Sequence, residues 1–272
     1  MLRNVLLACV AASMLHAAAP VKIVLVAGKP SHGAGEHEFR AGTLLLEKCL
    51  RENPGIEPVV VVGGWPADAS IFDGARALVF YLDGGDGHPM IQDDRLALIG
   101  TLMKKGVGLV CLHYAVEVPK ERGGPEFLDW IGGYYERPYS QNPVNDVAVT
   151  QASPEHPISR GWKSFAGRDE WYYKIRFRPG DSRVTPILTT MLPKDSPERE
   201  VIAWAVERAD GGRGFGFTGW HYLNNFGIPD FRRMIVNAIL WSAKLDVPPG
   251  GAKCDITPED IEMNLDSKPA GK

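Results

Sequence analysis

The sequence predicts an α/β protein built on a mostly parallel central sheet, covered on both faces and extended by extra rim strands. Three observations carry that reading. Short runs such as Val21–Ala27 (VKIVLVA) are apolar throughout, as strands buried on both faces are. They alternate with stretches of helical spacing, the order that lays strands parallel. At 272 residues, 44% of them hydrophobic, the chain can bury a sizeable core without disulfides or metal staples.

Each element follows from local chemistry. The first strand, Val21–Ala27, stops at Gly28. Residues 39–50 have helical spacing and break at Asn53-Pro54-Gly55. Residues 58–62 form a second strand closed by Gly63-Gly64, and 77–82 a third closed by Asp83-Gly84-Gly85. Residues 93–105 make a helix with Leu96, Ile99, Leu102 and Met103 on one face and Gly106 at its C-terminal stop. Residues 107–112 give the fourth strand. Between 123 and 142 the pattern loosens into short helix and loop. Residues 144–150, 184–190, 201–206 and 214–218 read as further strands, an antiparallel extension or rim, and 231–243 as a closing amphipathic helix. No repeat or linker divides the chain. We expect one domain over 20–247 and a tail over 248–272, rich in Pro, Gly and charge, that is poorly ordered or draped on the surface.

The N-terminus has the pattern of a signal peptide: Arg3, an apolar run from Val5 to Ala12, and the small residues Ala17-Ala18-Ala19 at a cleavage site. This predicts a leader over 1–19, cleaved near Ala19, and a periplasmic or secreted mature protein. No later segment reaches the length of a membrane helix, so an integral membrane protein is not expected. A formal net charge of -3 argues against nucleic acid as a partner. Beyond Cys9, the three cysteines Cys49, Cys111 and Cys254 lack CxxC spacing. A Cys49–Cys254 bridge is conceivable in an oxidising compartment, but all three read as small buried hydrophobes.

In parallel sheets ligands bind outside the carboxyl ends of the strands, and there the histidines gather. Ser31-His32-Gly33-Ala34-Gly35-Glu36-His37-Glu38 puts two imidazoles and two carboxylates in a glycine-rich loop after the first strand. Glu38 suits a helix start. Asp83 to His88 follows the third strand, either as a polar pocket border or as plain turn chemistry. Gly108 to Ala115 is an apolar strand running into His113-Tyr114, the layout of a strand-to-helix elbow that presents one side chain. A histidine there can act as general base or metal ligand. Asp169-Glu170-Trp171-Tyr172 sets carboxylates beside aromatics, a group able to bind a sugar or simply to pack a rim strand. Gly219-Trp220-His221 ends another strand with an aromatic and a histidine. His156, before Pro157, suits a turn. No P-loop, GxGxxG or GxSxG stands where it could work, so neither a nucleotide cofactor nor serine hydrolase chemistry is expected.

Taken in order, SHGAGEHEF, GLVCLHYA, HPISRGW, DEWY and GRGFGFTGWH resemble the ThuA-like (trehalose utilisation) family over about residues 21–245. The resemblance implies a flavodoxin-like, class I glutamine amidotransferase-like three-layer sandwich. It puts His113 at or near the elbow position that a cysteine nucleophile holds in the amidotransferases, with Cys111 inside the strand. It also implies a role in using trehalose and related disaccharides through 3-keto sugars, and some similar proteins hold a metal.

The function these readings predict is an exported enzyme of carbohydrate catabolism acting on a disaccharide, glycoside or keto-sugar. Its candidate catalytic residues are His113, Glu170 and His37. His32, His113 and His221 are candidate ligands for a divalent metal, zinc or manganese. Glu36, Asp83, Tyr114, Trp171, Tyr172 and Trp220 are candidates for substrate binding. The alternatives are a non-catalytic carbohydrate-binding module resting on the aromatics, and an amidotransferase-like hydrolase using Cys111.

Overall fold

The computed structural model describes residues 19–268, so the expected leader lies almost wholly outside the described residues. In chain order the strands are β1 (Val21–Ala27), β2 (Ile56–Val61), β3 (Ala77–Tyr81), β4 (Gly108–Leu112), β5 (Gly133–Tyr134), β6 (Val144–Gln151), β7 (Phe165–Glu170), β8 (Arg176–Phe177), β9 (Val184–Leu192), β10 (Glu198–Glu207) and β11 (Arg213–Phe217). The helices are α1 (Phe39–Arg51), α2 (Arg95–Lys104), α3 (Gly124–Trp130), α4 (Pro229–Ser242) and α5 (Pro258–Glu262).

Nine strands form one sheet in the order β2-β1-β3-β4-β11-β10-β9-β6-β7. The first five are mutually parallel, and antiparallel pairings begin between β11 and β10. This corrects one expectation. The strand at 214–218 is no rim strand: β11 lies parallel beside β4 and completes the central block. Its Gly-x-Gly sequence permits the close packing found there. A Cβ on Gly216 would lie 2.2 Å from the Trp204 ring, so the glycine leaves room for the indole that crosses it from β10.

The apolar runs are explained by two cores. In β1, Ile23, Leu25 and Ala27 face the core under α1 and α4, while Val24 and Val26 face the core under α2 and α3. Alternate residues of a strand point to opposite faces, so a strand covered on both sides has to be apolar at every position.

The described part of the segment after Val247 runs over the surface and is anchored there: Ala252 and Cys254 are buried, and α5 starts with a capping box between Thr257 and Asp260. Cys49, Cys111 and Cys254 are buried free thiols. Among the described residues no helix is long and apolar enough to cross a membrane.

Candidate functional site

Four neighbouring parallel strands, β1, β3, β4 and β11, end side by side, and each delivers polar groups to the same place. β4 is wholly buried up to Leu112, and His113 then turns at φ 54 into a short 3-10 turn. Its Nδ1 donates to the Thr218 carbonyl beyond β11 at 2.9 Å, which leaves the Nε2 lone pair free. The loop after β1 carries His32 and His37, also at positive φ (61 and 45). Its backbone is stitched to the loop after β11: His37 N–H donates to the His221 carbonyl and Leu223 N–H to the Gly35 carbonyl, each at 2.9 Å. Trp220, at φ 79, makes the turn that presents His221. Left-handed conformations of non-glycine residues cost energy, and here four of them cluster at one spot.

The His37 Nδ1 lies 3.0 Å from Asp83 Oδ1, so it donates there and turns Nε2 inward. His37 Nε2 then lies 3.0 Å from both His113 Nε2 and His221 Nδ1, and the latter two are 3.3 Å apart. Glu170 Oε2 lies 3.3 Å from His221 Nδ1 and 3.6 Å from His113 Nε2. With both Nδ1 atoms donating elsewhere, the lone pairs of His37 and His113 face each other at close range. Two lone pairs at that distance repel unless a cation or a shared proton lies between them. A tetrahedral ion with ligands at about 2.0–2.1 Å holds its donor atoms roughly 3.3 Å apart, close to the spacing found. The outer partners fit as well, since Asp83 and the Thr218 carbonyl orient two imidazoles and Asn142 Nδ2 donates to Glu170 Oε1 at 3.0 Å. This buried His37, His113, Glu170 and His221 cluster could hold a metal ion.

The titration behaviour agrees with that reading. Burial, reinforced by neighbouring imidazoles, pushes His37 and His113 well below the usual histidine range, so both are neutral. Burial pushes His221 the same way, but the hydrogen bond and charge of Glu170 outweigh it and raise His221 overall. Glu170 is lowered overall: burial raises it, and the His221 hydrogen bond and the imidazole charges more than offset that.

Two buried charges hold the loops. Asp169, fully buried, accepts from the N–H groups of Trp220 (2.6 Å) and His221 (3.0 Å) and from Asn225 Nδ2 (3.0 Å), fixing the turn that carries His221. Burial raises it to about 6, with those donors opposing the rise. Glu38 does not cap α1. Its carboxylate accepts from Gly35 N–H (3.1 Å) and Asp266 N–H (2.9 Å), and pairs with Lys268 Nζ at 3.3 Å. Lys268 also donates to the Glu36 and His37 carbonyls, so the end of the chain clamps the histidine loop.

The expected site residues divide into three groups. His37, His113, His221 and Glu170 come together. His32, Asp83, Glu36 and Tyr114 ring them. His32 is exposed and stacks on His37 at 3.6 Å, so as a ligand in the buried cluster it is replaced by His37, although His32, His37 and Asp83 form a second, shallower group. Glu36 Oε1 lies 3.7 Å from His221 Nε2, beyond hydrogen-bond range. Trp171 and Trp220 do not reach the site. Both are fully buried, stacked or tilted against Phe231 and Phe226, and cannot present a face to sugar. Tyr172 is also buried, its ring 4.8 Å from that of His113. Cys111 lies wholly inside the sheet with its thiol raised by burial, unsuited to nucleophilic attack. His88 and His156 accept from the N–H groups of Met90 and Ile158, as turn residues do. Sequence reasoning missed Asn142 and Lys268, which carry no motif, and passed over Asp169 for its neighbour Glu170. A cleft of about 870 Å3 lies at the other end of β4 around Arg208 and contains none of these groups.

The clamp gives a direct test. Lys268→Met leaves the Glu38 carboxylate buried without its cation, which costs about 3–5 kcal/mol. Chemical unfolding should show a loss of that order, and an unchanged midpoint would mean that the tail does not hold the loop.

The family model described as trehalose utilisation, ThuA, matches residues 24–242. No curated protein matches the chain in sequence. Among solved structures, a ThuA-like protein from Bacteroides uniformis is 17% identical with a TM-score of 0.61, over 86% of this chain and 96% of its own. A ThuA-like protein from Parabacteroides merdae is 15% identical with a TM-score of 0.63, over 89% of this chain and 99% of its own. A carbohydrate deacetylase shares the fold at 13% identity and a TM-score of 0.53, over 84% of this chain but 33% of its own. With a family match that spans most of the chain and a parallel sheet ending in the expected histidine elbow, this protein belongs to the ThuA family, on an α/β fold with a mainly parallel sheet.

Proposed function

We propose that the chain is an exported enzyme of carbohydrate catabolism, acting on a disaccharide, glycoside or keto-sugar, with a divalent ion held by His37, His113, His221 and Glu170. The observation that carries this reading is the set of three imidazole nitrogens turned inward at 3.0 to 3.3 Å, two of them neutral and oriented by outer partners. Three nitrogens and one carboxylate oxygen in a compact set favour zinc, with manganese second. When bound, such an ion supplies polarisation of a sugar carbonyl or activation of water.

The chain's own groups divide the remaining work. Glu170 is only partly buried and is steadied by Asn142, so its carboxylate faces both cluster and opening. His32, exposed above His37, is the imidazole at the mouth that can exchange a proton with substrate. Tyr114 accepts from Arg137 at 2.9 Å, which fixes the phenol and leaves its own proton to donate to a sugar oxygen. The buried Trp171, Trp220 and Tyr172 remove the platform on which a purely stacking sugar-binding module would rest. The carbohydrate class follows from the family's role in trehalose utilisation.

Elemental analysis of the purified protein is the deciding experiment. One equivalent of metal is expected in the wild type and much less in His113→Ala and His221→Ala. A wild type that retains none after loading with zinc and with manganese sinks the proposal. Metal affinity should also depend on pH in one direction. His37 and His113 are held neutral, so the proton that competes with metal is that of His221, whose pKa is raised. Affinity should be level above that raised value, which lies above the usual ~6.5, and fall about tenfold per pH unit below it. Zinc titrations between pH 6 and 8 that show no such fall would contradict it. Export rests on the N-terminal pattern, and the mature protein recovered from outside the cytoplasm should begin at or near Pro20 by mass spectrometry. An intact Met1 terminus would refute cleavage.

A further inference from the structure

A second feature opens beside the histidine cluster. The carboxyl ends of β1, β2 and β3 border a cleft of about 470 Å3, within the roughly 300–1,000 Å3 of small-molecule sites. Its floor is bare backbone. Gly63 and Gly64 turn at φ 88 and 95, and a Cβ on Gly63 or Gly87 would meet nothing within 4 Å, so a ligand can lie directly on the chain. Gly28, by contrast, is packed from beneath by Phe39 and Leu82, which keeps that floor fixed.

The walls carry a particular mixture of groups. Trp65 is half-buried, with its ring against Phe72 at 5.3 Å and the Arg95 guanidinium 5.1 Å from the ring centre. Arg95 is itself fixed by the Pro89 carbonyl and by Asp93, each at 3.1 Å. Gln92 gives its amide nitrogen to the carbonyls of Asp86 and His88, which leaves the amide oxygen as an acceptor. Asp83 receives Ser31 and His37 on the same Oδ1, so Oδ2 is left for a ligand. Two cations, Lys29 and Arg95, and one carboxylate, Asp83, line the cleft, and Arg95 is paired with Asp93 outside it, which offsets the positive charge that would select an anion. An aromatic wall, a carboxylate, an amide oxygen and an ammonium around bare backbone suit a neutral molecule with one apolar face and hydroxyls that both donate and accept. A hexopyranose is such a molecule.

We propose that this cleft is a saccharide subsite: one hexopyranose unit packs against Trp65, donates hydroxyls to Asp83 Oδ2 and the Gln92 amide oxygen, and accepts from the Lys29 ammonium on another hydroxyl oxygen. Asp83 lines the cleft and also orients His37, so the next unit of the same saccharide falls at the histidine cluster. The subsite deepens the proposed function and rests on its carbohydrate reading, but not on the metal.

The test is calorimetric titration of the mature protein with trehalose and with methyl α-glucopyranoside. Both should bind the wild type. Trp65→Ala should weaken each by about tenfold or more, as loss of an aromatic anchor does, with metal content unchanged. Lys29→Gln, at an exposed position that should not disturb folding, should weaken both by a few-fold. Three outcomes overturn the subsite: no binding of either sugar by the wild type, wild-type affinity in both cleft variants, or displacement of sugar by inorganic phosphate. A metal-free wild type that binds sugar through Trp65 would sink the metal centre and leave the subsite standing.

Discussion

The hydrogen bond from His113 Nδ1 to the Thr218 carbonyl ties the end of β4 to the end of β11, and the geometry of the site depends on it. It sets the tautomer of an imidazole that has no solvent to choose for it, and so decides that Nε2 presents a lone pair to the centre. It can form only because β11 returns to lie parallel beside β4, which brings residue 218 next to residue 113 across a separation of 105 residues. Once that bond is made, the positive φ of His113 is held in place by its surroundings, as strained backbone at functional sites has to be.

Around this bond the protein assembles groups that would not gather unaided. Neutral imidazoles crowd within hydrogen-bonding distance, in a place too dry for either His37 or His113 to protonate. The supports are themselves buried charges. Asp169 gathers the N–H groups of the Trp220–His221 turn, and the Glu38–Lys268 pair closes the histidine loop from beneath with the last described residue of the chain. Removing one partner of such a pair is costly because the other is left buried and charged. Positioning is therefore achieved by polar groups far apart in sequence, while the apolar strands supply rigidity.

The carbohydrate reading gains from what the aromatics do. Trp171 and Trp220 build the core between β7, β11 and α4, and their burial fixes the end of β7 that bears Glu170 and the loop that bears His221. Trp65, in a loop after β2, is an aromatic left partly exposed beside Asp83. An aromatic residue near a carboxylate in sequence is thus a poor guide to stacking surface. Exposure decides, and exposure is a property of the fold.

Much of the fold was legible in the chain. Apolar runs closed by glycine marked β1 to β3, an apolar run into His113 marked β4, helical spacing marked α1, α2 and α4, and histidines after three of those strands pointed to the right edge of the sheet. These signals are local, fixed by side-chain period and by turn residues. What the sequence could not determine is non-local. Nothing within 214–218 says whether that strand lies parallel at the centre or antiparallel at the rim, because register and neighbour are set by what the strand packs against. Likewise both His32 and His37 sit in one glycine-rich loop, and only the stitching of that loop to the one after β11 turns His37 inward and leaves His32 at the surface. The sequence alone determined which residue types meet at the carboxyl edge. The tertiary structure decided which nitrogen of each imidazole faces the centre, because that depends on hydrogen-bond partners brought from distant parts of the chain.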